Sequence, residues 1–301
     1  MNFNTNSPLD IFLTELFNRY REAVPEVNQI TAALLKNGVI GSQDEIVNDH
    51  IAFRTLGVPN LGIKSFEKIF LFHGYQKRDH YYFEEKKLDA YWYAPPAPEY
   101  PRIFLSELKV GMLSQNAQKI IKKYTGDIKS DPVDALDLND GDAIAAFLHH
   151  PLWKLPDLKD YTALLEESEY AAWVIYNRYY LNHYTISVHA LPEDYRFLPD
   201  FNKFVEGLGI KLNDAGGKIK TSADGLLSQS STVAGLHEVE FADGAKTQIA
   251  GSYVEFAERS VLPAYSHLKP EEIQSIHRRE GFETSNADKI FESTYTGQVK
   301  S

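Results

Sequence analysis

The 301-residue sequence has no cysteine, only two methionines and no long uninterrupted hydrophobic run. Without thiolates, disulfide bonds and cysteine-ligated metal sites are excluded, so histidine and carboxylate side chains remain as the strong metal ligands. The N-terminal segment lacks the basic start and apolar core of a signal peptide or a membrane anchor. We therefore expect a cytoplasmic protein that does not insert into a membrane.

Basic residues are scarce relative to acidic ones. There are 31 Lys and Arg against 42 Asp and Glu, which gives a formal charge of −11, and no long basic cluster interrupts this excess. Because nucleic-acid binding requires a positive surface that neutralises phosphates, nucleic acid is not expected as a partner. Hydrophobic residues make up 43% of the chain, which is enough for a well-buried core that needs no covalent staples.

The sequence motifs of several enzyme classes are missing as well. The chain has no G-x-S-x-G nucleophile motif, no G-x-x-x-x-G-K phosphate loop and no cysteine nucleophile. The glycines of "GLGIKLNDAGG" follow a predicted helix and lead into a strand, which is the wrong order for a dinucleotide-binding unit. Serine hydrolases, P-loop proteins and dinucleotide-binding enzymes are therefore not supported.

A polar pair is present inside an otherwise strand-like stretch, "NDHIAFRTLG", residues 48–57. Strand side chains alternate between two faces, so His50, Ala52 and Arg54 share one face, while Ile51 and Phe53 take the other. The second face is typical of a hydrophobic core. The first face is a candidate functional site.

The segment "LNHYTISVHA", residues 181–190, repeats this pattern, with His183 in the position of His50. After each strand comes a short amphipathic helix that stops at a glycine, Gly74 in the first unit and Gly209 in the second, as expected for a left-handed helix cap. The histidines are 133 residues apart (183 − 50) and the glycines are 135 apart (209 − 74). Strand and helix therefore recur nearly in register.

Each unit continues into about three predicted strands, and the closing strands "RIFLSELKV" and "GSYVEFAER" carry Glu107 and Glu255. The repeat predicts an α+β fold of paired βαβββ modules. Module 1 covers about residues 45–110, a helical insertion about 111–180, module 2 about 181–260, and a C-terminal segment of helix, turn and short helix about 261–301. No Pro/Gly-rich linker separates them, which favours a single compact domain over residues 1–301.

The repeat places a histidine on the first strand of both modules and a glutamate on the last. If the modules pair, His50, His183 and Glu255 form a two-histidine, one-carboxylate set with adjacent coordination positions open, the arrangement favoured by non-heme Fe(II) oxygen chemistry. The alternative is that each histidine is a buried structural residue. Their matching positions in the repeat strengthen the metal hypothesis, and the structural alternative stays open at this point.

Two further polar residues accompany this set. Glu107 occupies the quasi-symmetric place of Glu255, and we predict first an outer hydrogen-bond acceptor for a ligand, with a fourth ligand or a surface charge as alternatives. Arg54 lies about 13 Å along the strand from His50, and its planar guanidinium suits a carboxylate. The alternative for Arg54 is a salt bridge at the mouth of a barrel.

Several segments form a recognisable set: "DHIAFRT", the pair Asn182 and His183, "RIFLSEL", "GLLSQSST", "GSYVEFAER" and "GFETSNADKIFEST". Together they resemble the 2-oxoadipate dioxygenase/decarboxylase family, also called hydroxyglutarate synthases, in its short type. The resemblance spans nearly the whole chain. That family belongs to the vicinal oxygen chelate superfamily, which implies paired βαβββ modules in a half-open barrel, with a helical insertion and helical termini.

The resemblance also implies a site and a reaction. Fe(II) would be held by His50, His183 and Glu255, Arg54 would position the substrate, and Ser285 of "ETSNAD" would be a further substrate contact. The expected partners are a small 2-oxo dicarboxylic acid and O2, with 2-oxoadipate converted to 2-hydroxyglutarate and CO2 in lysine catabolism. The alternatives are another metal-dependent enzyme of the superfamily, such as a different 2-oxo-acid dioxygenase, a hydrolase or an isomerase, or a non-catalytic ligand-binding module.

Overall fold

A computed structural model describes residues 7–300, which form ten strands and ten α-helices. The strands are β1 (Asn48–Leu56), β2 (Gln76–Phe83), β3 (Leu88–Ala94), β4 (Arg102–Leu108), β5 (His183–Ser187), β6 (Lys220–Thr221), β7 (Leu227–Ser231), β8 (Leu236–Glu240), β9 (Lys246–Ala250) and β10 (Tyr253–Arg259). The helices are α1 (Pro8–Ala23), α2 (Pro25–Lys36), α3 (Ile63–Phe72), α4 (Gln115–Thr125), α5 (Gly141–His149), α6 (Leu158–Glu167), α7 (Glu169–Asn177), α8 (Leu198–Gly207), α9 (Thr284–Ile290) and α10 (Thr296–Val299). Within this described part of the chain, no helix has both the length and the apolar character needed to cross a lipid bilayer.

Eight strands form one sheet in the order β2-β3-β4-β1-β5-β10-β7-β6. β1 pairs in parallel with β4, and β5 pairs in parallel with β10, so the first strand of each module lies beside the last. β1 and β5 are antiparallel neighbours, which relates the two modules by an approximate two-fold axis. This order confirms the predicted α+β fold of paired βαβββ modules.

The two faces of the sheet are chemically different. Phe53 of β1 packs against Phe66 of α3 with ring centroids 4.9 Å apart, and Phe256 of β10 packs against Phe201 of α8 at 5.0 Å. The helix of each module therefore covers the outer face. Because side chains alternate along a strand, the residues that flank Phe53 point to the inner face, where the candidate site lies.

The C-terminal segment departs from its prediction. The first helix predicted there is wrong, because the residues form only short 3₁₀ turns at Pro270–Glu272 and Ser275–His277. This stretch has no apolar stripe to bury, and Ile276 is 67% exposed. A helix in a protein is stabilised mainly by packing such a stripe. The short second helix is present as α9.

Glu107 lies on the outer side of β4, next to the start of α3. Its Oε2 accepts a hydrogen bond from the backbone N of Ile63 at 2.7 Å, which satisfies a free N–H of the first helical turn. The approach is close because Gly62 has no side chain: a Cβ there would lie 2.1 Å from Glu107 Oε2. Gly62 also has φ = +82°, a conformation that favours glycine.

Replacing Gly62 with alanine should therefore lower the free energy of unfolding by about 3 kcal/mol or more, because backbone strain adds to the loss of the Glu107 cap. Gly209→Ala is the matched control, since Gly209 has φ = +79° but an added Cβ would meet nothing within 4 Å. This control should lose only about 1–2 kcal/mol. Urea denaturation measures both values, and equal losses would contradict the importance of the Glu107 approach.

Candidate metal centre

Three buried side chains from three strands converge on the inner face of the sheet. His183 Nε2 lies 3.3 Å from His50 Nε2 and 3.1 Å from Glu255 Oε2, and His50 Nε2 lies 3.6 Å from Glu255 Oε1. One ligand atom from each residue lies within 4.8 Å of the others, and no other three His, Asp or Glu side chains of residues 7–300 are gathered in this way. Two imidazoles and one carboxylate at this spacing can bind a single divalent ion.

The pairing of β1, β5 and β10 makes this convergence possible. Ala52 pairs with His183 across β1 and β5, so His50, two residues away on the same face, lies diagonally beside His183. β10 then places Glu255 opposite Thr185, whose Oγ1 lies 3.1 Å from His50 Nε2. Residues that are far apart in sequence therefore meet at the junction of the two modules.

Each histidine is oriented by the residue that precedes it. Asp49 Oδ2 lies 2.9 Å from His50 Nδ1, and Asn182 Oδ1 lies 3.0 Å from His183 Nδ1. An acceptor at Nδ1 fixes the tautomer that leaves Nε2 as the ligand atom. This role was not predicted from the sequence, although an Asp or Asn stands before the histidine in both "NDH" and "LNH".

The Glu255 carboxylate is held by a chain of buried amides. Gln229 Nε2 donates to Glu255 Oε1 at 2.7 Å, and Asn286 Nδ2 donates to Gln229 Oε1 at 3.1 Å. All three side chains are buried. Gln229 and Asn286 lie in two of the segments that carry the family resemblance, "GLLSQSST" and "GFETSNADKIFEST". Their contacts were not predicted, because these depend on how β7 pairs and how α9 packs.

Asp49 is itself held by two arginines. Arg259 Nε and Nη2 lie 2.7 and 2.9 Å from Asp49 Oδ1 and Oδ2, and Arg102 Nη1 lies 3.5 Å from Oδ1. Arg259 also donates to the backbone oxygens of Arg279 and Gly281 at 3.0 and 2.8 Å. Burial alone would raise the pKa of Asp49, but the charges of Arg259 and then Arg102 hold that pKa well below its usual range. The carboxylate therefore stays ionised behind His50.

His183 is kept neutral by its surroundings. Burial lowers the pKa of His183 well below its usual value, and the charges of His50 and Arg54 act in the same direction. Neutral imidazole is the form that binds a metal ion. His183 is thus in a suitable state for ligation at neutral pH.

Module 1 has no counterpart of Glu255. In module 2, Glu255 pairs with the residue two positions after the histidine, and the corresponding partner in module 1 is Phe104. The offset of equivalent positions is therefore 151 (255 − 104), whereas equating Glu107 with Glu255 would require an offset of 148 (255 − 107). Glu107 lies on the opposite face of β4 and caps α3, so its predicted contact with a ligand is corrected.

Arg54 is buried on the same strand face as His50. Its Nη1 donates to Thr294 Oγ1 at 2.9 Å, and its Nη2 donates to the backbone oxygen of Phe291 at 3.0 Å. The guanidinium carbon lies 5.2 and 5.1 Å from the ring centroids of Tyr170 and Trp173. In the described part of the chain Arg54 forms no ion pair with a carboxylate, so the alternative of a structural salt bridge is not found there.

The C-terminal segment closes the cavity over the three converging side chains. Phe282, Ala287, Ile290 and Phe291 line this cavity, whereas Ser285 is exposed. Successive residues of an α-helix are rotated by about 100°, so the face of α9 that carries Ala287 and Ile290 turns Ser285 towards solvent. The segment lines the cavity, but the predicted substrate contact of Ser285 is corrected, because its side chain is exposed.

The similarity of the chain to known proteins extends over most of its length. A family profile described as 2-oxoadipate dioxygenase/decarboxylase matches residues 12–271. The chain is 47% identical to the chloroplastic/amyloplastic 2-oxoadipate dioxygenase/decarboxylase of Oryza sativa, covering 85% of this chain and 71% of the relative. It is 44% identical to the chloroplastic protein of the same name from Arabidopsis thaliana, covering 85% and 70%. The crystal structure of the Oryza sativa hydroxyglutarate synthase in complex with 2-oxoadipate matches with a TM-score of 0.87 and 42% identity, covering 96% of this chain and 93% of that one.

The names of these relatives correct the expected location. The two curated relatives are chloroplastic or amyloplastic proteins, so the expectation of a cytoplasmic protein is overturned. The lack of an apolar core in the N-terminal segment is evidence only against a secretory signal peptide. Organelle transit sequences are amphipathic and have no such core.

Asp49 and Asn182, which accept hydrogen bonds from the two histidines, provide a matched test of the buried charge network. Asp49→Ala should lower the free energy of unfolding by about 3–5 kcal/mol, because it leaves Arg259 buried without its counter-charge. Asn182→Ala removes the equivalent Nδ1 acceptor in module 2 without stranding a charge, and should lose only about 1–2 kcal/mol. Urea denaturation at pH 7 distinguishes the two, and losses of similar size would argue against Asp49 as the essential partner of Arg259.

Proposed function

The chain belongs to the 2-oxoadipate dioxygenase/decarboxylase family, and from this membership we propose that it is a non-heme Fe(II) enzyme converting 2-oxoadipate and O2 to 2-hydroxyglutarate and CO2. The observation that carries the proposal is the convergence of His50, His183 and Glu255. Arg54 lies on the same face of the sheet, on the strand that carries His50. The 2-oxoadipate in the Oryza sativa structure supports the choice of substrate.

The available donor atoms suit iron. Two imidazoles and one carboxylate, with no thiolate, are the ligand set of non-heme Fe(II) oxygenases, which keep several coordination positions open. Phe104 stands where module 2 has its glutamate and offers no fourth protein ligand. When bound, Fe(II) would supply electrons for oxygen activation and a Lewis-acidic anchor for the 2-oxo acid.

One wall of the cavity is apolar. Phe104, Phe282, Ile290 and Phe291 line it, and the Phe282 ring meets the His50 ring edge-on with centroids 4.8 Å apart. Such a wall excludes water and so protects reactive species from side reactions. Dioxygen is apolar and can enter such a cavity without losing hydrogen bonds.

We assign Arg54 to the substrate carboxylate that is remote from the 2-oxo group. A guanidinium binds a carboxylate through two parallel hydrogen bonds, and Arg54 is buried with its charge unpaired by any carboxylate of residues 7–300. A 2-oxo acid with a neutral tail would leave that charge uncompensated, at a cost of about 3–5 kcal/mol. The site should therefore select dicarboxylic substrates.

The overall reaction balances without a separate reductant. The bond between C1 and C2 of 2-oxoadipate breaks and C1 leaves as CO2. One oxygen atom of O2 completes the new carboxylate at C2, and the other becomes the hydroxyl group of 2-hydroxyglutarate. Decarboxylation and hydroxylation each supply two electrons to O2, so the chain needs no site for a second organic co-substrate.

His183→Ala is expected to abolish the iron site, because it removes one of only three protein ligands. Affinity for Fe(II) should fall more than about 100-fold, and 2-oxoadipate-dependent oxygen uptake should be lost. His80→Ala is the control, since His80 is exposed on β2 and pairs with Asp89 at 2.8 Å. Metal analysis after anaerobic reconstitution, followed by an oxygen electrode, measures both effects. Wild-type protein that binds no iron, or binds it and consumes no O2, would point to the ligand-binding or hydrolase alternatives.

Arg54→Ala is expected to separate substrate selection from metal binding. The kcat/KM for 2-oxoadipate should fall about 100-fold or more, while iron content stays near that of the wild type. The neutral-tailed 2-oxohexanoate serves as the control substrate, and its kcat/KM should change far less. An Arg54→Ala enzyme that still prefers 2-oxoadipate by the wild-type ratio would remove Arg54 from substrate recognition.

A further inference from the structure

Two buried polar side chains have incomplete hydrogen bonding within residues 7–300. The Tyr253 hydroxyl lies next to the Arg54 guanidinium and interacts with it, but a guanidinium has no acceptor, so the hydroxyl proton has no acceptor and Arg54 Nε also lacks one. The two side chains are 0% and 1% exposed, and leaving a buried donor unpaired is costly. Tyr253 lines the cavity and Arg54 lies beside Tyr253, so an anion at this end of the cavity would give both side chains an acceptor.

The position of Tyr253 relates it to both ends of the proposed substrate. It precedes Glu255 by two residues on β10, so the two side chains share the inner face, and both line the cavity. Its ring packs on His183, with centroids 4.8 Å apart and planes inclined by 31°. Tyr253 thus extends away from the metal ligands along the direction in which β1 carries Arg54.

The Tyr253 hydroxyl is a suitable hydrogen-bond donor. A phenol carries one O–H donor, and the neighbouring Arg54 guanidinium offers only donors. The hydroxyl can therefore donate its proton to an anion that Arg54 also binds.

The distances along the sheet fit the length of 2-oxoadipate. Two residues along a strand correspond to about 6.6 Å, the step from Glu255 to Tyr253. The four C–C bonds from the 2-oxo carbon to the remote carboxylate carbon extend to about 5 Å. An acid anchored at the metal ligands by its 2-oxo end would place its remote carboxylate in the region of Tyr253 and Arg54.

We propose that the Tyr253 hydroxyl is a second donor to the remote carboxylate, and that Tyr253 and Arg54 together select 2-oxo dicarboxylic acids of this chain length. This inference rests on the proposed function, because it takes the 2-oxo end of the substrate to lie at the three metal ligands. The carboxylate would receive charge-assisted hydrogen bonds from the guanidinium and one from the phenol.

Tyr253→Phe tests the proposal, because it removes one hydroxyl and leaves the packing of the ring on His183 intact. Anaerobic calorimetric titration of the Fe(II)-loaded protein should show 2-oxoadipate binding about 10- to 100-fold more weakly, as expected for a lost hydrogen bond to a charged group. The KM should rise in parallel, with a much smaller change in kcat. Binding of 2-oxohexanoate, which has no remote carboxylate, should be nearly unchanged.

Tyr184→Phe is the matched control. Tyr184 is equally buried and its hydroxyl also lacks a partner, but it packs against Phe17 and Tyr20, with ring centroids 5.0 and 6.1 Å away, instead of lining the cavity. This variant should retain wild-type affinity for both acids. Iron content and thermal stability are measured for both variants, and neither should fall appreciably, since each loses a buried hydroxyl whose proton has no acceptor within residues 7–300.

The possible outcomes separate this inference from the proposed function. A wild-type protein that turns over 2-oxoadipate, with a Tyr253→Phe variant of unchanged affinity, would overturn the role of Tyr253 alone. Equal weakening of 2-oxoadipate and 2-oxohexanoate would also overturn it, because the hydroxyl would then not recognise the remote carboxylate. A chain-length series of 2-oxoglutarate, 2-oxoadipate and 2-oxopimelate on the wild type gives an independent check: the proposal requires tightest binding of the middle acid and a flatter profile in Tyr253→Phe.

Discussion

The antiparallel contact between β1 and β5 is the constraint on which the rest of the structure depends. It joins the two modules and sets Ala52 opposite His183, which brings His50 and His183 to one point. A slip by one residue would turn every side chain of a strand to the opposite face. Ile51 and Phe53, both fully buried on the outer face of β1, resist such a slip. The hydrophobic core therefore holds the register that assembles the polar site.

Among the buried charges around the centre, Glu255 and Arg54 form no ion pair with an Arg, Lys, Asp or Glu side chain of residues 7–300. Asp49 is neutralised by Arg259 and Arg102, so the support of His50 is electrically complete within the chain. Glu255 contacts histidines and an amide, and Arg54 contacts neutral groups. Since an unpaired buried charge is unfavourable, a cation bound at Glu255 and an anion bound at Arg54 would each be stabilising. A metal ion and a carboxylate substrate together would satisfy both.

The two modules share a backbone plan but have diverged at the positions that carry chemistry. Glu255 in module 2 corresponds to Phe104 in module 1, so the two modules together offer three candidate ligands instead of a symmetric four, and an aromatic ring lines the cavity in place of the fourth. Asp49 and Asn182 both accept at a histidine Nδ1, yet only Asp49 carries a charge. That charge connects His50 through Arg259 to the backbone of residues 279–281, just before Phe282, which packs on His50. Through Asp49 and Arg259, the candidate ligand His50 is therefore connected to the C-terminal segment that covers the cavity.

The features of the fold that arise from local periodicity and from repetition can be predicted from the sequence alone. Alternation along β1 and β5 and the glycine stops after α3 and α8 are local properties, and the 133-residue repeat singled out His50 and His183 as equivalent residues. The equivalence of residues between the modules and the contacts around the site depend on the tertiary structure. Phe104 and not Glu107 corresponds to Glu255 because equivalence is set by the hydrogen-bonded register between strands, which counting positions along the sequence does not reveal. In the same way, the rotation of α9 turned Ser285 outward. The contacts of supporting residues such as Arg259 arise only when segments distant in the chain are packed together, and no local pattern reports them.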